Sequence, residues 1–404
     1  MAFTTNSSPQ LAAIEPSMIA ALLLTALAWI WSFYSLQRKA LAIPADPPKP
    51  DRYPGVTVIR PIKGVDPGLR ENVIAGFEDQ YPGETETLFV FDDDQDPALA
   101  VVISVIKDRQ SAGLDTSAKI IFSGQPPRNR TGKLNAMIVA YKEVSHDLVA
   151  FVDSDIRQKP DDLERLVATL LTDPKAGASF PTVVSDAPPR TLGDVGYAVM
   201  MNGLYEPSAL ATAARMGGTL PFIMGHMMVL RREAITAIGG FETAEGQLVD
   251  DMYLGRRMVQ CGYQNRISPK PVSIIQQDCP FDEFTGILIR WIAFSISGLP
   301  FWTTKLPHAL TGIALWSGII ATSYAIASLQ PVIAFLGLLT VFSVPISINS
   351  LHFLLSKQPI PLRYAWASMI IWLAAPLIYA QIWIRREVNW RGRRYRLNMN
   401  STLG

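Results

Sequence analysis

A chain of 404 residues has room for a catalytic domain of ordinary size and for further elements beside it. Only 18% of the residues are charged and the mean hydropathy is +0.19, which excludes a purely soluble globule as a good description. A formal net charge of +1 gives no basis for nucleic-acid binding, and the 2 cysteines, Cys261 and Cys279, are too few for a disulfide framework and lack metal-ligand spacing.

Residues 17–36, SMIAALLLTALAWIWSFYSL, carry no charge. As a helix they can cross ~30 Å of hydrocarbon. A cleavable signal peptide fits less well, because no basic residue precedes the stretch and no small-residue cleavage site follows it. Arg38 and Lys39 follow directly, which by the positive-inside rule places the chain from residue 40 onward in the cytoplasm.

Between about 54 and 280, short β-branched runs alternate with helical stretches. The pattern predicts strands over 56–61, 85–93, 118–124 and 147–155, and helices over 66–80, 97–110, 132–144 and 160–171. Asp66 is the expected cap of the first of these helices, and Pro97 and Pro160 open two others. Continuous apolar strands alternating with helices predict an α/β unit with a mostly parallel, Rossmann-like sheet covered on both faces. Ligands bind such sheets beyond the carboxyl ends of the strands. Residues 185–220, with Pro188, Pro189, Pro207, Gly217 and Gly218, read as a loop-rich segment and a candidate lid.

Acidic clusters recur at the ends of the predicted strands. FDDDQDPA (91–98) places Asp92, Asp93, Asp94 and Asp96 together, where like charges repel. Asp153 and Asp155, in DSD, have the spacing of a hard-oxygen site for a divalent cation bridging two phosphates; alone, such a triplet is more often a cap or surface charge. No G-x-x-x-x-G-K-[ST] is present, and no G-x-G-x-x-G opens the first helix. In LVDDMYLGRR, Asp250 and Asp251 start a helix, either as acids matching its dipole or as a general base. FTGILIRWIAFSISGLPFW (284–302) carries a single charge, Arg290, beside Trp291. Such an Arg needs a partner, for which a diphosphate serves, or it snorkels from an interfacial helix.

Residues 309–330, 331–355 and 364–384 are each long enough to cross a bilayer, and Trp302, Trp316, Trp366, Trp372 and Trp383 suit interfacial belts or packing. Four full spans would leave the Arg-rich tail, RREVNWRGRRYRL, on the outer face, whereas such a tail belongs on the cytoplasmic one. Pro376 interrupts the last segment, so 364–384 is expected to be re-entrant or shallow.

Taken together, these motifs resemble the ceramide glucosyltransferase family, membrane glycosyltransferases of the GT-A type with the pattern D, D-x-D, D, (Q/R)-x-x-R-W. The likeness covers almost the whole chain. It runs through RPIKGVDPGL, DDDQDPA with Asp93 in the first aspartate slot, VDSDIR, GHMMVLRREAITAIGGF, LVDDMYLGRR, LIRW and the tail WRGRRYRL. Ile287 stands where the pattern has Gln or Arg, which removes one polar contact.

The resemblance implies an N-terminal transmembrane anchor (1–40), a cytoplasmic GT-A domain (50–282) and an interfacial helix with the RW motif (283–305). Transmembrane helices (306–385) and a basic tail (386–404) complete it. It implies that Pro61 and Lys63 lie near the uracil or phosphates, that Asp93 accepts from the uridine and that Lys133 adds charge at the phosphates. Asp153 and Asp155 would hold Mg2+ or Mn2+ on the diphosphate, Asp153 also touching the nucleotide sugar. Asp251 would be the base, while Asp250, Arg290, Trp291, Trp390, Arg391 and Arg394 would serve the diphosphate or the acceptor. A single displacement would give a β-glycoside from a UDP-sugar, glucose first, on the primary hydroxyl of ceramide in the bilayer. Transfer of N-acetylglucosamine from its UDP donor to a hopanoid and of glucuronate to ceramide stay open, hopanoid glycosyltransferases being similar in these motifs. So does a non-catalytic membrane scaffold on a degenerate transferase domain. A processive polysaccharide synthase would need more spans. A bacterial inner membrane is expected in preference to a Golgi membrane.

Overall fold

The computed structural model describes residues 15–41, 46–114, 116–268, 270–398 and 402–403. An apolar helix, α1 (Pro16–Leu41), precedes β1 (Val56–Pro61), α2 (Leu69–Phe77), β2 (Thr85–Phe91), α3 (Pro97–Ser111), β3 (Ala118–Phe122), α4 (Gly132–Tyr141) and β4 (Leu148–Val152). Then come β5 (Ile156–Arg157), α5 (Asp162–Leu171), β6 (Ala176–Phe180), β7 (Val183–Val184), α6 (Leu192–Ala198), a π-helical turn over Val199–Tyr205 and α7 (Glu206–Arg215). The unit continues with β8 (Thr219–Leu220), β9 (Met227–Arg231), α8 (Arg232–Ala237), α9 (Asp250–Gln260), β10 (Gln264–Ile267), β11 (Val272–Ile274) and α10 (Phe281–Gly298). Helices α11 (Leu306–Ala327), α12 (Pro331–Ser356) and α13 (Ile370–Arg385) and the hairpin β12 (Glu387–Trp390) and β13 (Arg393–Arg396) complete the chain.

One sheet has the order β3-β2-β1-β4-β9-β6-β10-β8. Its first half is parallel throughout, as continuous runs such as LVAFV and VTVIRP lead one to expect of strands buried on both faces. The second half is mixed, because β9 runs antiparallel between β4 and β6. That reversal positions the site: Val152 pairs with Met227, so the residues just past β4 lie opposite those just before β9. The β5–β11–β7 sheet lies beside it.

Two sequence expectations give way. Asp66 does not cap α2, which starts later, after Gly68 in the left-handed region at φ 70°; its carboxylate instead accepts from Ser154 Oγ and Arg391. Residues 185–220 are largely helical. Pro188 and Pro189 lie ahead of α6, Thr191 and Asp194 form a capping box, and Pro207 follows directly on the π-helical turn at the start of α7. Trp372, open to belt or packing in the sequence, sits in the interior and donates to His308 O at 3.1 Å.

Among the described residues, four helical stretches, Pro16–Leu41, Phe301–Ala327, Pro331–Ser356 and Leu362–Arg385, are long and apolar enough to cross a membrane. Polar contacts knit α1 to α11 and α12: Trp29 Nε1 to Thr311 (3.3 Å), Trp31 Nε1 to Ser343 (3.2 Å) and Tyr34 with Ser350 (2.8 Å). The cytoplasm-expected end of α1 meets the α/β unit through Gln37 and Ser208 (3.0 Å). The last turns of α12 meet it through His352 and Asn202 (3.2 Å). Within the last stretch, α13 itself has 16 residues, about 24 Å at helical rise.

Candidate active site

The strand ends and the tail hairpin enclose a cavity of about 520 Å³. Asp66, Asp92, Asp153, Asp155, Asp250 and Asp251 line it. Lys63, Lys133, Arg290, Arg391 and Arg393 line it with them. Each acid follows from local folding. Asp92 follows β2; Asp153 and Asp155 follow β4; Asp250 and Asp251 open α9.

Lys133 is the central cation. Thr131 caps α4, accepting from Leu134 N at 3.0 Å, and this aims the second residue of the helix into the cavity. Its Nζ lies 2.7 Å from Asp153 Oδ1 and donates to Gly225 O at 2.7 Å. Burial opposes its charge, but Asp153, Asp250 and Asp251 outweigh that and raise its pKa. Asp251 is held at both oxygens by backbone N–H groups, Gly225 N at 2.6 Å and Met252 N at 2.7 Å. Burial, then Asp250, push its pKa up to about 6. Asp250 accepts from Thr131 Oγ1 at 3.0 Å and from Asp251 N at 2.8 Å; burial raises its pKa too.

Asp155 is pushed up to about 6 by burial and by Asp153, and its Oδ1 is sealed without a hydrogen-bond partner. No group of three or more His, Cys, Asp or Glu side chains among the described residues could chelate an ion unaided. Asp153 and Asp155 nevertheless fit a hard divalent cation that takes the rest of its shell from phosphate oxygens and water, as Mg2+ commonly does. The orphaned Asp155 oxygen is the atom such an ion would satisfy.

The acidic cluster is not left bare. Asp92 meets Lys63 Nζ at 2.8 Å and Arg393 at 2.7 Å. Arg391 forms a fork on Asp66 and approaches Asp155 at 3.9 Å. The other acids of FDDDQDPA have separate tasks. Asp96 caps α3, accepting from Ala98 N at 3.0 Å, and Asp93 forms a turn with Gln95 N at 3.0 Å.

Of the residues singled out from the sequence, Pro61, Lys63, Lys133, Asp153, Asp155, Asp250, Asp251, Arg290, Trp291, Trp390 and Arg391 all line the cavity. Asp93 lines an adjoining cleft with Lys63, Asp96 and Arg391. Arg394 points away and pairs with Glu387. Ile287 is buried on the cavity wall. Arg290 lies over the Trp390 ring at 6.0 Å, its pKa lowered by burial. Sequence reasoning missed Asp66, Asp92, His226 and Arg393, and the apolar wall of Tyr197, Tyr205 and Phe294.

A family model described as "Glycosyl transferase family 21" matches residues 20–403. Ceramide glucosyltransferase 1 of Caenorhabditis elegans is 28% identical over 270 residues, 66% of this chain and 54% of that protein. An N-acetylglucosaminyltransferase of Rhizobium meliloti is 28% identical over 266 residues, 63% of this chain and 58% of that protein. The chain thus spans little more than half the length of these curated relatives. Among solved structures, a mannosyltransferase of Pyrobaculum calidifontis, in complex with GDP-mannose and Mn2+, superposes with a TM-score of 0.56. It is 21% identical and covers 88% of this chain and 98% of its own, a likeness of GT-A-like fold.

Proposed function

The chain belongs to glycosyl transferase family 21, and we propose that it is an inverting hexosyltransferase carrying a sugar, glucose first, from a UDP-sugar to the primary hydroxyl of ceramide. The observation that carries this is the single cavity shared by Asp153, Asp155 and Asp251 with Lys133 and Arg290 between and beside them. A divalent cation bound at Asp153 and Asp155 would draw charge from the departing diphosphate.

Asp251 is positioned to take the acceptor's hydroxyl proton. Its two backbone hydrogen bonds fix its orientation, and a pKa near 6 leaves it ionised yet basic at neutral pH. As the acceptor oxygen bonds to the anomeric carbon, the bond to the diphosphate breaks and UDP departs with its electron pair. Lys133 and Arg290 offer positive charge where that negative charge grows. Tyr205, Ile287, Trp291 and Phe294 give the cavity an apolar side, the last three on α10, which leads into a candidate span. That wall suits a lipid whose hydroxyl enters while its chains stay in the bilayer.

The catalytic unit lies on the cytoplasmic side in this reading. Because the end of α12 and the tail both touch that unit, residues 357–385 enter and leave on one face, so α13 lies shallow. A second reading is transfer of N-acetylglucosamine, the sugar in the name of the Rhizobium relative, with a hopanoid as the acceptor. The test is UDP release with Mn2+, ceramide or a hopanoid, and UDP-glucose or UDP-N-acetylglucosamine, with mass spectrometry of the lipid product. Wild type releases UDP, and Asp251→Asn loses 10²–10⁴-fold in rate, roughly the share of a general base. No UDP release with any of these donors and either lipid refutes the transferase reading.

A further inference from the structure

We propose that His226 reads the sugar of the nucleotide donor, its Nε2–H donating to a hydroxyl of the sugar ring; this rests on the transferase reading above.

Its backbone is fixed at the centre of the site. The His226 carbonyl accepts from Asp153 N at 2.9 Å, extending the β4–β9 ladder into the D-x-D segment. The preceding residue, Gly225, donates to Asp251 and accepts from Lys133. His226 therefore stands between the aspartate offered to the cation and the aspartate offered as base.

Its ring is fixed as well. The imidazole stacks on Trp291, with centroids 5.4 Å apart and planes at 12°. Trp291 is braced edge-on by Tyr205 at 4.6 Å. His226 lines the cavity, while its Nδ1 is sealed with no partner. The ring edge left to meet a ligand is the one carrying Nε2. A buried N–H without an acceptor costs more than a bare lone pair, so the neutral ring keeps its hydrogen on Nε2. The charged ring carries one there too, so an N–H faces the cavity in either state.

The surroundings select the sugar as its acceptor. The His226 carbonyl is tied to Asp153, beside the carboxylates offered to the cation, and its ring lies on Trp291, the neighbour of Arg290 on the cavity wall. His226 thus faces the part of the cavity where the donor's diphosphate and sugar would sit. The neutral oxygens between a diphosphate and the base are the hydroxyls of the transferred sugar. A donor held rigidly against an aromatic face fixes the orientation of such a ring.

The test is calorimetric binding of UDP and of UDP-glucose or UDP-N-acetylglucosamine, with Mn2+, to the full chain in nanodiscs. His226→Phe keeps the stack and removes the donor; His226→Gln keeps an N–H of similar reach. The expected result is UDP affinity within twofold of wild type for both variants. The Phe variant weakens the UDP-sugar about tenfold, the size of one hydrogen bond, and Gln recovers most of that loss; the acceptor KM stays put. Equal weakening of UDP and UDP-sugar overturns the proposal, and so does an unchanged UDP-sugar affinity, whether or not the acceptor KM rises. If the Phe variant does not fold, His226→Met against His226→Gln makes the same comparison. Failure of the wild type to bind UDP sinks the transferase reading itself, which is a separate outcome.

Discussion

Replacing Lys133 by Met removes the charge at the heart of the cluster while keeping its apolar stem. Lys133 is 13% exposed and Asp153 25%, so water screens the pair weakly. At an effective dielectric near 20, one contact of this kind is worth about 4 kcal/mol of Coulomb energy. Recovering the desolvation of the lysine offsets part of that, but Asp153, Asp250 and Asp251 remain without their shared cation. Removing one member of a buried pair costs ~3–5 kcal/mol, which is roughly 10 °C in the unfolding temperature of a domain this size. The carboxylates left behind shift upward in pKa. The penalty is therefore larger at pH 8 and shrinks as pH falls through those raised values toward about 6, where Asp155 and Asp251 take up protons even with Lys133 in place. Scanning fluorimetry of the detergent-solubilised chain, without metal, at pH 5 and pH 8 reads this directly. Melting within 2 °C of wild type at pH 8, or an equal deficit at both pH values, would refute the picture of Lys133 as the cluster's counter-ion (the ~2 °C margin being less than 1 kcal/mol).

Glu206 is fully buried, with Oε1 accepting from Thr182 at 2.8 Å and Oε2 sealed without a partner. Burial raises its pKa to about 8 from 4.5. The folded chain binds the extra proton between those values, so this group's contribution to stability declines as pH climbs from 4.5 to 8 and is flat above. At ~1.4 kcal/mol per unit the full effect reaches about 5 kcal/mol. Glu206→Gln is expected to flatten that slope in melts across pH 5–9, and an unchanged slope contradicts the assignment. For topology, a cysteine placed at Arg394 is expected to resist membrane-impermeant maleimide in intact cells and to react after lysis; labelling in intact cells would place the tail on the outer face.

The parts legible in the sequence were those governed by local pattern. β4 is an unbroken apolar run, and β1 is mostly apolar, because both faces of a parallel sheet are covered. Asp153, Asp155 and Asp251 stand at motif spacings that the fold brings into one cavity. What was hidden depends on pairing between distant segments. In β13 the side chains alternate, so Arg393 and Tyr395 face the cavity while Arg394 and Arg396 turn to Glu387; without recognising the hairpin, the tail arginines look alike. Asp66 read as a cap because a helical pattern follows it, yet Gly64 and Gly68 bend the chain so that its carboxylate meets Arg391. The prolines and glycines of 185–220 suggested loop because composition alone does not say that Pro207 falls in the first turn of a helix. His226 gave no signal, since its role follows from lying opposite Asp153 across a ladder whose partner strand is 70-odd residues away.

The central claim is that Asp153 and Asp155 complete a cation site that exists to hold a nucleoside diphosphate. Calorimetry of UDP binding to the full chain, with Mn2+ and with chelator, compared between wild type and Asp155→Asn, tests it most directly. The account predicts UDP binding that requires Mn2+ and falls at least about tenfold in the variant, the least that losing one carboxylate ligand should cost. UDP binding of equal strength with and without Mn2+, and unaltered by Asp155→Asn, would contradict it.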